Sequence, residues 1–435
     1  MKKVFSVIAA ASFLVMSSCA DKAIVKPQHE QVNISFSWWG NDKRHEYTIS
    51  GIEVFEKLHP DIKVDISYSE WSGYEARSRV RMISDTESDV MQINIGWVKQ
   101  FSPDGRGYYD ISQLTDYVDL SEFSDDILEY GKVNGILNAV PVAMNAQTVY
   151  INKSIYDKYG LDIPGTWDDF FKAAKIMSKD GVYPISASSK SMWLFVMSYA
   201  EQELNKSFIS DDGRLSFTAD ELKIMMKMYC DIVNSKVAPL TEYYERTNIE
   251  NGVYGGTIAW VSDAENYCGA AIKKGYEIIP APYTVISGKP SGSGWHAKPA
   301  TLYAISKNTE HPKEAAILLD FMLNSEEMAL LQGVEKGIPL STSARQSLDD
   351  AGQLQGLQYD ASLLMENNKN MSQMDPIVEN TSLINEFFKA CNLVIYDKAD
   401  IDTASQELYQ TLNGIVKKCA VIEYPKSEIG IYQEA

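Results

Sequence analysis

The sequence predicts an α/β protein built as two lobes, with strands and helices that alternate along the chain. Strand and helix patterns follow one another over residues 34–95, which is typical of a doubly wound α/β lobe. The chain has 435 residues, of which 45% are hydrophobic and 11% aromatic. This composition suits a well-packed globular protein, and a length beyond about 250–300 residues exceeds what one hydrophobic core usually serves.

The first lobe is predicted from hydrophobic periodicity. Apolar residues that alternate along the chain indicate strands, and apolar residues at helical spacing indicate helices. Proline ends a helix because it cannot continue the hydrogen-bond pattern. The predicted segments are a strand at 34–38, a helix that ends before Pro60, a strand at 62–68, a short helix at 74–83, a strand at 89–95 and a helical start near Trp97.

The second lobe is predicted to open after Pro141 with a strand at 148–151. Thr166 with Asp169, and Thr218 with Glu221, have the spacing of a helix capping box. Pro312 suits the first turn of a helix, where its missing N–H is not needed. Further predicted segments are a strand at 301–305 and helices at 156–159, 166–177, 218–233, 312–323, 325–333, 383–396 and 404–416.

The N-terminal residues 1–18 have the layout of a secretory signal peptide. Lys2 and Lys3 precede a short apolar stretch, and Ser17-Ser18-Cys19 follows it. A cysteine directly after small residues predicts a bacterial lipoprotein signal, with Cys19 as the lipidated first residue and 19–31 as anchor and tether. An ordinary secretory signal with an incidental cysteine is the alternative. The expected location is the cell envelope, outside the cytoplasm and anchored to the membrane by lipid.

Charge and cysteine content limit the possible partners. The net charge of -19 argues against nucleic acid, which requires clustered basic residues. If Cys19 carries lipid, the other cysteines form one of three disulfide pairings or remain buried free thiols, and the sequence does not decide between these. Their spacing is too wide for a compact zinc site. The remaining cysteines are Cys230, Cys268, Cys391 and Cys419.

The chain lacks the common sequence signatures of catalysis. The sequence contains no Gly-x-Ser-x-Gly elbow, no phosphate-binding loop and no His-Glu-x-x-His pair. No catalytic residue, cofactor or metal is therefore predicted, and any ATPase must be a separate protein. A glycosidase stays the less favoured alternative, because its two carboxylates have no recognisable sequence pattern.

Four segments together resemble the family 1 extracellular solute-binding proteins of ABC importers, the group that includes maltose-binding protein. These segments contain packing and capping residues rather than a catalytic motif, so the resemblance concerns the fold. They occur in the order that this family shows and extend over nearly the whole predicted mature chain. The segments are 54–64, then 149–152 with 156–167, then 303–306 with 311–316, and lastly Gly337-Ile338-Pro339.

The resemblance implies a type II periplasmic-binding-protein fold with the ligand in a cleft between two lobes. A hinge closes this cleft around the ligand, and the closed form docks on the membrane subunits of an ABC permease. The chain is expected to act as a monomer. The implied domain limits are 32–143 with 299–343 for the N-terminal lobe, 144–298 with 344–420 for the C-terminal lobe, and 421–435 for a tail.

Tryptophans are the first candidates for ligand contact, with a mono- or oligosaccharide as the expected ligand. A sugar presents an apolar C–H face, and an aromatic ring provides a flat surface against it. Most tryptophans follow predicted strands, and ligands of open α/β sheets bind at carboxyl ends of strands. Packing in the lobe cores is the alternative for each ring. The candidates are Trp38, Trp39, Trp97, Trp193, Trp260 and Trp295, of which Trp38 or Trp39, Trp260 and Trp295 are preferred.

Polar candidates lie near the same strand ends and near the predicted crossings between lobes. Asp263 has the alternative of capping a helix, and Arg345 that of bridging the lobes. A peptide, a polyamine or a sugar phosphate remains an alternative ligand, as does a surface lipoprotein that has lost its cleft function. The polar candidates are Asn41, Glu70, Asn94, Asn145, Asp263, His296 and Arg345.

Overall fold

The computed structural model describes residues 31–420, so the predicted signal peptide, Cys19, most of the tether and the tail lie outside the described residues. The alternation predicted for the start of the folded part is confirmed. Its elements are β1 (Val32–Trp39), α1 (Asp42–Leu58), β2 (Ile62–Ser69), α2 (Trp71–Ile83), β3 (Val90–Ile93) and α3 (Ile95–Phe101). β1 lies between β2 and β3 and pairs with both in parallel.

The remaining strands are short except for two. They are β4 (Lys132–Val133), β5 (Ile136–Leu137), β6 (Ala139–Asn152), β7 (Gly256–Trp260), β8 (Ile278–Pro280), β9 (His296–Ile305) and β10 (Ser372–Gln373). The helices are α4 (Asp125–Leu128), α5 (Lys153–Lys158), α6 (Trp167–Met177), α7 (Ser189–Leu204), α8 (Ala219–Asn234), α9 (Thr247–Glu250), α10 (Ala264–Lys273), α11 (Pro312–Asn324), α12 (Glu326–Gln332), α13 (Thr342–Asp350), α14 (Leu357–Glu366), α15 (Thr381–Ile395) and α16 (Ile401–Ala420).

Helix α7 has no counterpart among the sequence predictions. Its buried residues occupy every side of the helix, from Ser191 to Gln202. A helix that is apolar all round lacks the amphipathic period from which helices are predicted. Helix α8 was predicted, and its capping box is present: the Thr218 N–H donates to Glu221 at 2.7 Å, and the Glu221 N–H donates to Thr218 Oγ1 at 3.3 Å.

The long strands β6 and β9 connect two groups of strands. The sheet order is β2-β1-β3-β9-β6-β7, with β8 on β6 and β10 on β9. The first half of β6 pairs with β9 beside β3, whereas its second half pairs with β7 and β8. The register of β6 against β9 shifts between Pro141 and Met144, within the half of β6 that pairs with β9. We call the part built on β1–β3 the first lobe and the part built on β7 and β8 the second lobe.

Each lobe has its own hydrophobic core. Phe36, Phe55 and Leu319 belong to the core of the first lobe. The core of the second lobe joins α7, α8, α15 and α16 around residues such as Trp193 and Phe387. The residue limits predicted for the lobes stay a prediction.

The segment between α12 and α13, residues 333–340, also contacts β6. Ala143 forms an isolated bridge with Pro339, and the Leu340 N–H donates to the Val142 carbonyl at 3.1 Å. Helix α13 contacts α11 and α12 in the first lobe, whereas α14 contacts α10 and β8 in the second. The 333–340 segment therefore lies at the junction of the two lobes, and the chain passes to the second lobe after α13.

Replacing Gly337 with alanine should destabilise this junction. Gly337 has a φ of +107°, and a Cβ built there would lie 2.7 Å from the Cβ of Ala143. A non-glycine residue in such a backbone region costs about 1–3 kcal/mol. Equilibrium urea denaturation of Gly337→Ala should show a loss of that order. Gly352→Ala is the control, because Gly352 also has positive φ but no atom lies within 4 Å of the added Cβ; equal losses would rule out a role for the close contact.

Candidate functional site

A cavity of about 110 Å³ lies where the two lobes meet. Its first-lobe wall consists of Trp39 at the end of β1, Arg44 in the first turn of α1, and Gln92 in β3. The other lining residues come from β6 (Asn145), from β9 (Ala300 and Thr301), from the 333–340 segment (Lys336) and from the second lobe (Ser262). This position matches the general rule that ligands of open α/β sheets bind beyond the carboxyl ends of strands.

Trp39 supplies the aromatic surface of the cavity. Its half-buried ring lies edge-on to Trp71, with centroids 4.9 Å apart, and 5.4 Å from Tyr74. Trp71 is 37% exposed and stacks on Trp97 at 5.8 Å. Trp97 itself is buried in this cluster. Trp39 and Trp71 therefore present aromatic surface on the first lobe, supported from behind by the other two rings.

Two cationic side chains meet in the cavity wall. Lys336 is only 3% exposed; its Nζ donates to the Tyr303 hydroxyl and lies 4.9 Å from the Tyr303 ring centroid and 5.8 Å from that of Tyr47. Burial, together with the nearby Arg44 guanidinium, lowers the pKa of Lys336 to about 7. Arg44 Nη2 donates to the Glu335 carbonyl at 2.9 Å. Within residues 31–420, no carboxylate oxygen lies within 4.0 Å of either cationic group.

Several buried polar atoms of the lining have no partner in the described part of the chain. They are Nε of Arg44, Oε1 of Gln92 and Oγ1 of Thr301. Buried polar atoms are normally hydrogen-bonded, so such a group around one cavity indicates a place for ligand or water. Asn145 differs, because its carboxamide donates to Ser262 Oγ at 2.9 Å and accepts from the Ser262 N–H at 3.2 Å.

Trp38, Trp193 and Trp295, which the sequence predicted as ligand contacts, do not line the cavity. Their exposed fractions are 0%, 0% and 3%, and all three rings lie in lobe cores. Trp193 is in the middle of α7 rather than after a strand. Each indole N–H is already donated: that of Trp38 to His45, that of Trp193 to the Val378 carbonyl and that of Trp295 to the Thr284 carbonyl. Trp97 is buried as well and supports Trp71 from behind.

Trp260 lies near the cavity on the second-lobe side. It ends β7 and is opposite Gln147 of β6, two residues from Asn145. The Lys298 ammonium lies 4.7 Å from its ring centroid and forms an ion pair with Glu379. The Lys298 ammonium therefore covers one face of the Trp260 ring. Trp260 stays a candidate for ligand contact at the edge of the site.

Most of the predicted polar candidates occupy helix starts. Asn41 caps α1 and Asn94 caps α3, each accepting a backbone N–H from the first turn, at 3.0 Å and 2.9 Å. Glu70 precedes α2, is exposed and makes no capping hydrogen bond. Asp263 stands at the start of α10, where its carboxylate accepts from Asn266 at 3.3 Å. None of these four side chains lines the cavity.

His296 and Arg345 are each paired with a carboxylate. His296 is 9% exposed and lies 2.8 Å from Glu201. Burial by itself lowers the pKa of His296, but the Glu201 carboxylate outweighs that effect and raises it above its usual value. Arg345 of α13 forms a bidentate pair with Glu366 of α14, at 3.0 Å and 2.9 Å. Arg345 therefore bridges the two lobes, which was the alternative to ligand contact.

The lining residues Arg44, Gln92, Thr301 and Lys336 were not predicted. Two of them carry a signal that is visible in the sequence. Gln92 is polar within a strand whose other residues are apolar, and Arg44 puts a positive charge in the first turn of a helix, where the helix dipole favours a negative one. Lys336 follows no periodic pattern, because it lies in an irregular segment.

Residues 31–420 also contain four cysteines. Cys230, Cys268, Cys391 and Cys419 are free thiols in the structure, and the first three are buried. Within that range, no group of His, Cys, Asp and Glu side chains has the arrangement of a metal site. None of the helices described there has the length and apolarity that crossing a bilayer requires.

The sequence matches the family model described as "Bacterial extracellular solute-binding protein" over residues 41–329. The chain belongs to this family. The resemblance of the four sequence segments to extracellular solute-binding proteins is therefore confirmed, as is the α/β fold class. Membership places the chain among the extracytoplasmic binding proteins of ABC transporters, and the matching natural proteins are solute-binding proteins rather than enzymes.

Relatives of known name add detail about the family. The chain is 25% identical over 363 residues to the melibiose/raffinose/stachyose-binding protein MelE of Bacillus subtilis. The aligned region covers 78% of this chain and 82% of MelE. It is 25% identical over 252 residues to the sn-glycerol-3-phosphate-binding periplasmic protein UgpB of Rhizobium meliloti. This alignment covers 54% of this chain and 56% of UgpB. The periplasmic oligogalacturonide-binding protein of Yersinia enterocolitica, solved with saturated digalacturonic acid, superposes with a TM-score of 0.77 at 29% identity, covering 90% of this chain and 100% of that one.

Proposed function

We propose that the chain is the lipid-anchored substrate-binding protein of an ABC importer, and that it captures a mono- or oligosaccharide and delivers it to the permease. The observation that carries the proposal is the cavity between the lobes, where the ring of Trp39 lies beside unpaired polar atoms of Gln92 and Thr301. An aromatic surface beside fixed hydrogen-bonding groups is what a sugar requires, because a sugar has an apolar face and a rim of hydroxyls.

The relatives support a carbohydrate ligand. MelE is named for three oligosaccharides, and the Yersinia protein for oligogalacturonides. MelE aligns with 78% of this chain and the Yersinia protein with 90%. The anchor would be a lipid on Cys19, which would keep the folded part close to the permease.

Ligand capture follows from the way the lobes are joined. The first lobe supplies Trp39, Arg44 and Gln92, and the second supplies Ser262, so a bound molecule contacts both. A ligand closes the lobes only if it binds the closed state more tightly than the open one. The Arg345–Glu366 pair adds a contact between α13 of the first lobe and α14 of the second.

The alternatives are less favoured by the lining of the cavity. A glycosidase needs two carboxylates about 5–9.5 Å apart, and none of the described lining residues is acidic. A polyamine would meet Lys336 and Arg44, which repel a cation. A sugar phosphate is the alternative that these cations favour, and the relative UgpB is named for another phosphate ester, sn-glycerol 3-phosphate.

Intrinsic tryptophan fluorescence of the purified protein, titrated with mono- and oligosaccharides, tests the proposal. Trp39 and Trp71 provide the probe, because stacking of a sugar changes their surroundings. A saturable change with one class of saccharide is the expected result. A folded protein that gives no response to any saccharide in fluorescence or calorimetry would contradict the proposal and direct attention to non-sugar solutes.

A further inference from the structure

The Lys336 ammonium is buried without an acidic partner. Its side chain has the Tyr303 hydroxyl and two tyrosine rings around it, and no carboxylate oxygen within 4.0 Å in the described chain. Moving a charged ammonium out of water is costly unless an opposite charge compensates it. For a purely structural role, an apolar side chain of the same length would avoid that cost. The position of Lys336 in the cavity wall indicates that the compensating charge comes from outside the chain.

Arg44 completes a positively charged corner of the cavity. Its guanidinium is held by the Glu335 carbonyl through Nη2, which leaves the buried Nε without a partner among residues 31–420. The neighbouring Lys43 differs, because it is exposed and forms an ion pair with the Glu335 carboxylate. The two unpaired cations thus face the cavity, whereas the paired one faces solvent.

We infer that this corner is an anion subsite, in which Lys336 and Arg44 bind the carboxylate of a uronic acid residue of the saccharide while Trp39 contacts its ring. This inference rests on the proposed function, since it names the class of saccharide for the same cavity. Hydrogen bonds between charged groups are stronger than neutral ones, and a guanidinium matches the planar geometry of a carboxylate.

The corner suits a carboxylate better than a phosphate ester. Phosphate sites usually use several free backbone N–H groups at a helix start. At the start of α1, the Asn41 side chain already accepts the Arg44 N–H, and the first turn carries the negative charge of Asp42. A planar carboxylate needs only the two side-chain cations.

Isothermal titration calorimetry with matched ligands tests the subsite. The probes are oligosaccharides of galacturonic acid, each beside the neutral galactose oligosaccharide of the same linkage and length, and galactose 6-phosphate. The uronates should bind at least tenfold more tightly than their neutral counterparts. In Lys336→Met and Arg44→Gln, the affinity for uronate should fall by about 10- to 100-fold, whereas neutral sugars should bind as before.

Lys43→Gln is the matched control, because it removes one positive charge from the adjacent position outside the cavity. It should leave the uronate preference unchanged. Circular dichroism and thermal unfolding show whether each variant is folded. Arg44 is half-buried, so Arg44→Gln still tests the subsite if Lys336→Met does not fold.

The pH dependence gives a second readout. Lys336 faces Arg44, Tyr47 and Tyr303, and burial raises the pKa of both tyrosines, so they stay neutral near pH 7. Burial and Arg44 lower the pKa of free Lys336 to about 7. A bound carboxylate raises it again, so binding takes up a proton and uronate affinity falls as pH rises above about 7. In Lys336→Met this decline should be absent.

The outcomes separate the inference from the proposed function. Equal affinity for uronates and neutral sugars would overturn the anion subsite and leave a sugar receptor. Binding of the sugar phosphate without uronate would overturn the choice of carboxylate. Failure of every saccharide to bind would overturn both the inference and the proposed function. A uronate preference that survives both Lys336→Met and Arg44→Gln would refute the assignment of these residues.

Discussion

Substituting Trp193 with alanine should lower the free energy of unfolding by about 3–5 kcal/mol, the range for removing a large aromatic side chain from a packed core. Trp193 is 0% exposed in the second lobe. Its ring meets Phe208 and Phe387 edge-on at 5.2 Å and 5.1 Å, and its N–H donates to the Val378 carbonyl at 2.8 Å. Equilibrium denaturation with urea, followed by circular dichroism, measures the loss.

Trp71→Ala is the control for this prediction. Trp71 is 37% exposed, so its removal should cost less stability than removal of the fully buried Trp193, because less buried apolar surface is lost. The milder Trp193→Phe variant should keep the saccharide affinity of the wild type, since Trp193 lies outside the cavity lining. A variant at Trp193 with normal stability but weakened saccharide binding would restore the prediction made from sequence.

Substituting Trp39 with alanine should act mainly on binding, with a large loss of affinity and a smaller loss of stability than Trp193→Ala. Trp39 is half-buried and is the aromatic residue that lines the cavity. Buried aromatic anchors at the centre of binding sites typically contribute about 2–4 kcal/mol, equivalent to roughly 30- to 1000-fold in affinity. Calorimetric titration with the saccharide that binds the wild type most tightly measures the effect.

Trp39→Phe provides the matched comparison. It keeps an aromatic surface, so it should retain more affinity than Trp39→Ala. Trp260→Ala should have a smaller effect, because Lys298 already covers one face of that ring. If Trp39→Ala bound saccharide with unchanged affinity, Trp39 would have no place in the site.

The alternation of strands and helices could be predicted because each of these elements has one buried and one exposed side. β1, α1 and β2 carry period-two or helical apolar patterns, and Asn41 and Thr218 mark helix starts through local hydrogen bonds. These signals depend on neighbours in sequence. Helix α7 was missed because it is buried on all sides and so has no such pattern.

The candidate site could be predicted only in part, because burial and contact depend on the three-dimensional arrangement. Adjacent residues Trp38 and Trp39 point to opposite faces of β1: Trp38 enters the core, whereas Trp39 reaches the cavity. The sequence placed both tryptophans at a strand end but did not show which of them faces the core and which faces the cavity. Lys336 and Arg44 are 292 positions apart and meet only in the folded chain.

A crystal structure of the protein with its tightest-binding saccharide tests the central claim most directly. The account predicts ligand density between the lobes, with a sugar ring against Trp39 and hydrogen bonds to Gln92 and Thr301. A uronate should place its carboxylate within hydrogen-bond distance of Lys336 Nζ and the Arg44 guanidinium. A saccharide bound elsewhere, with the cavity between the lobes filled only by water, would contradict the account.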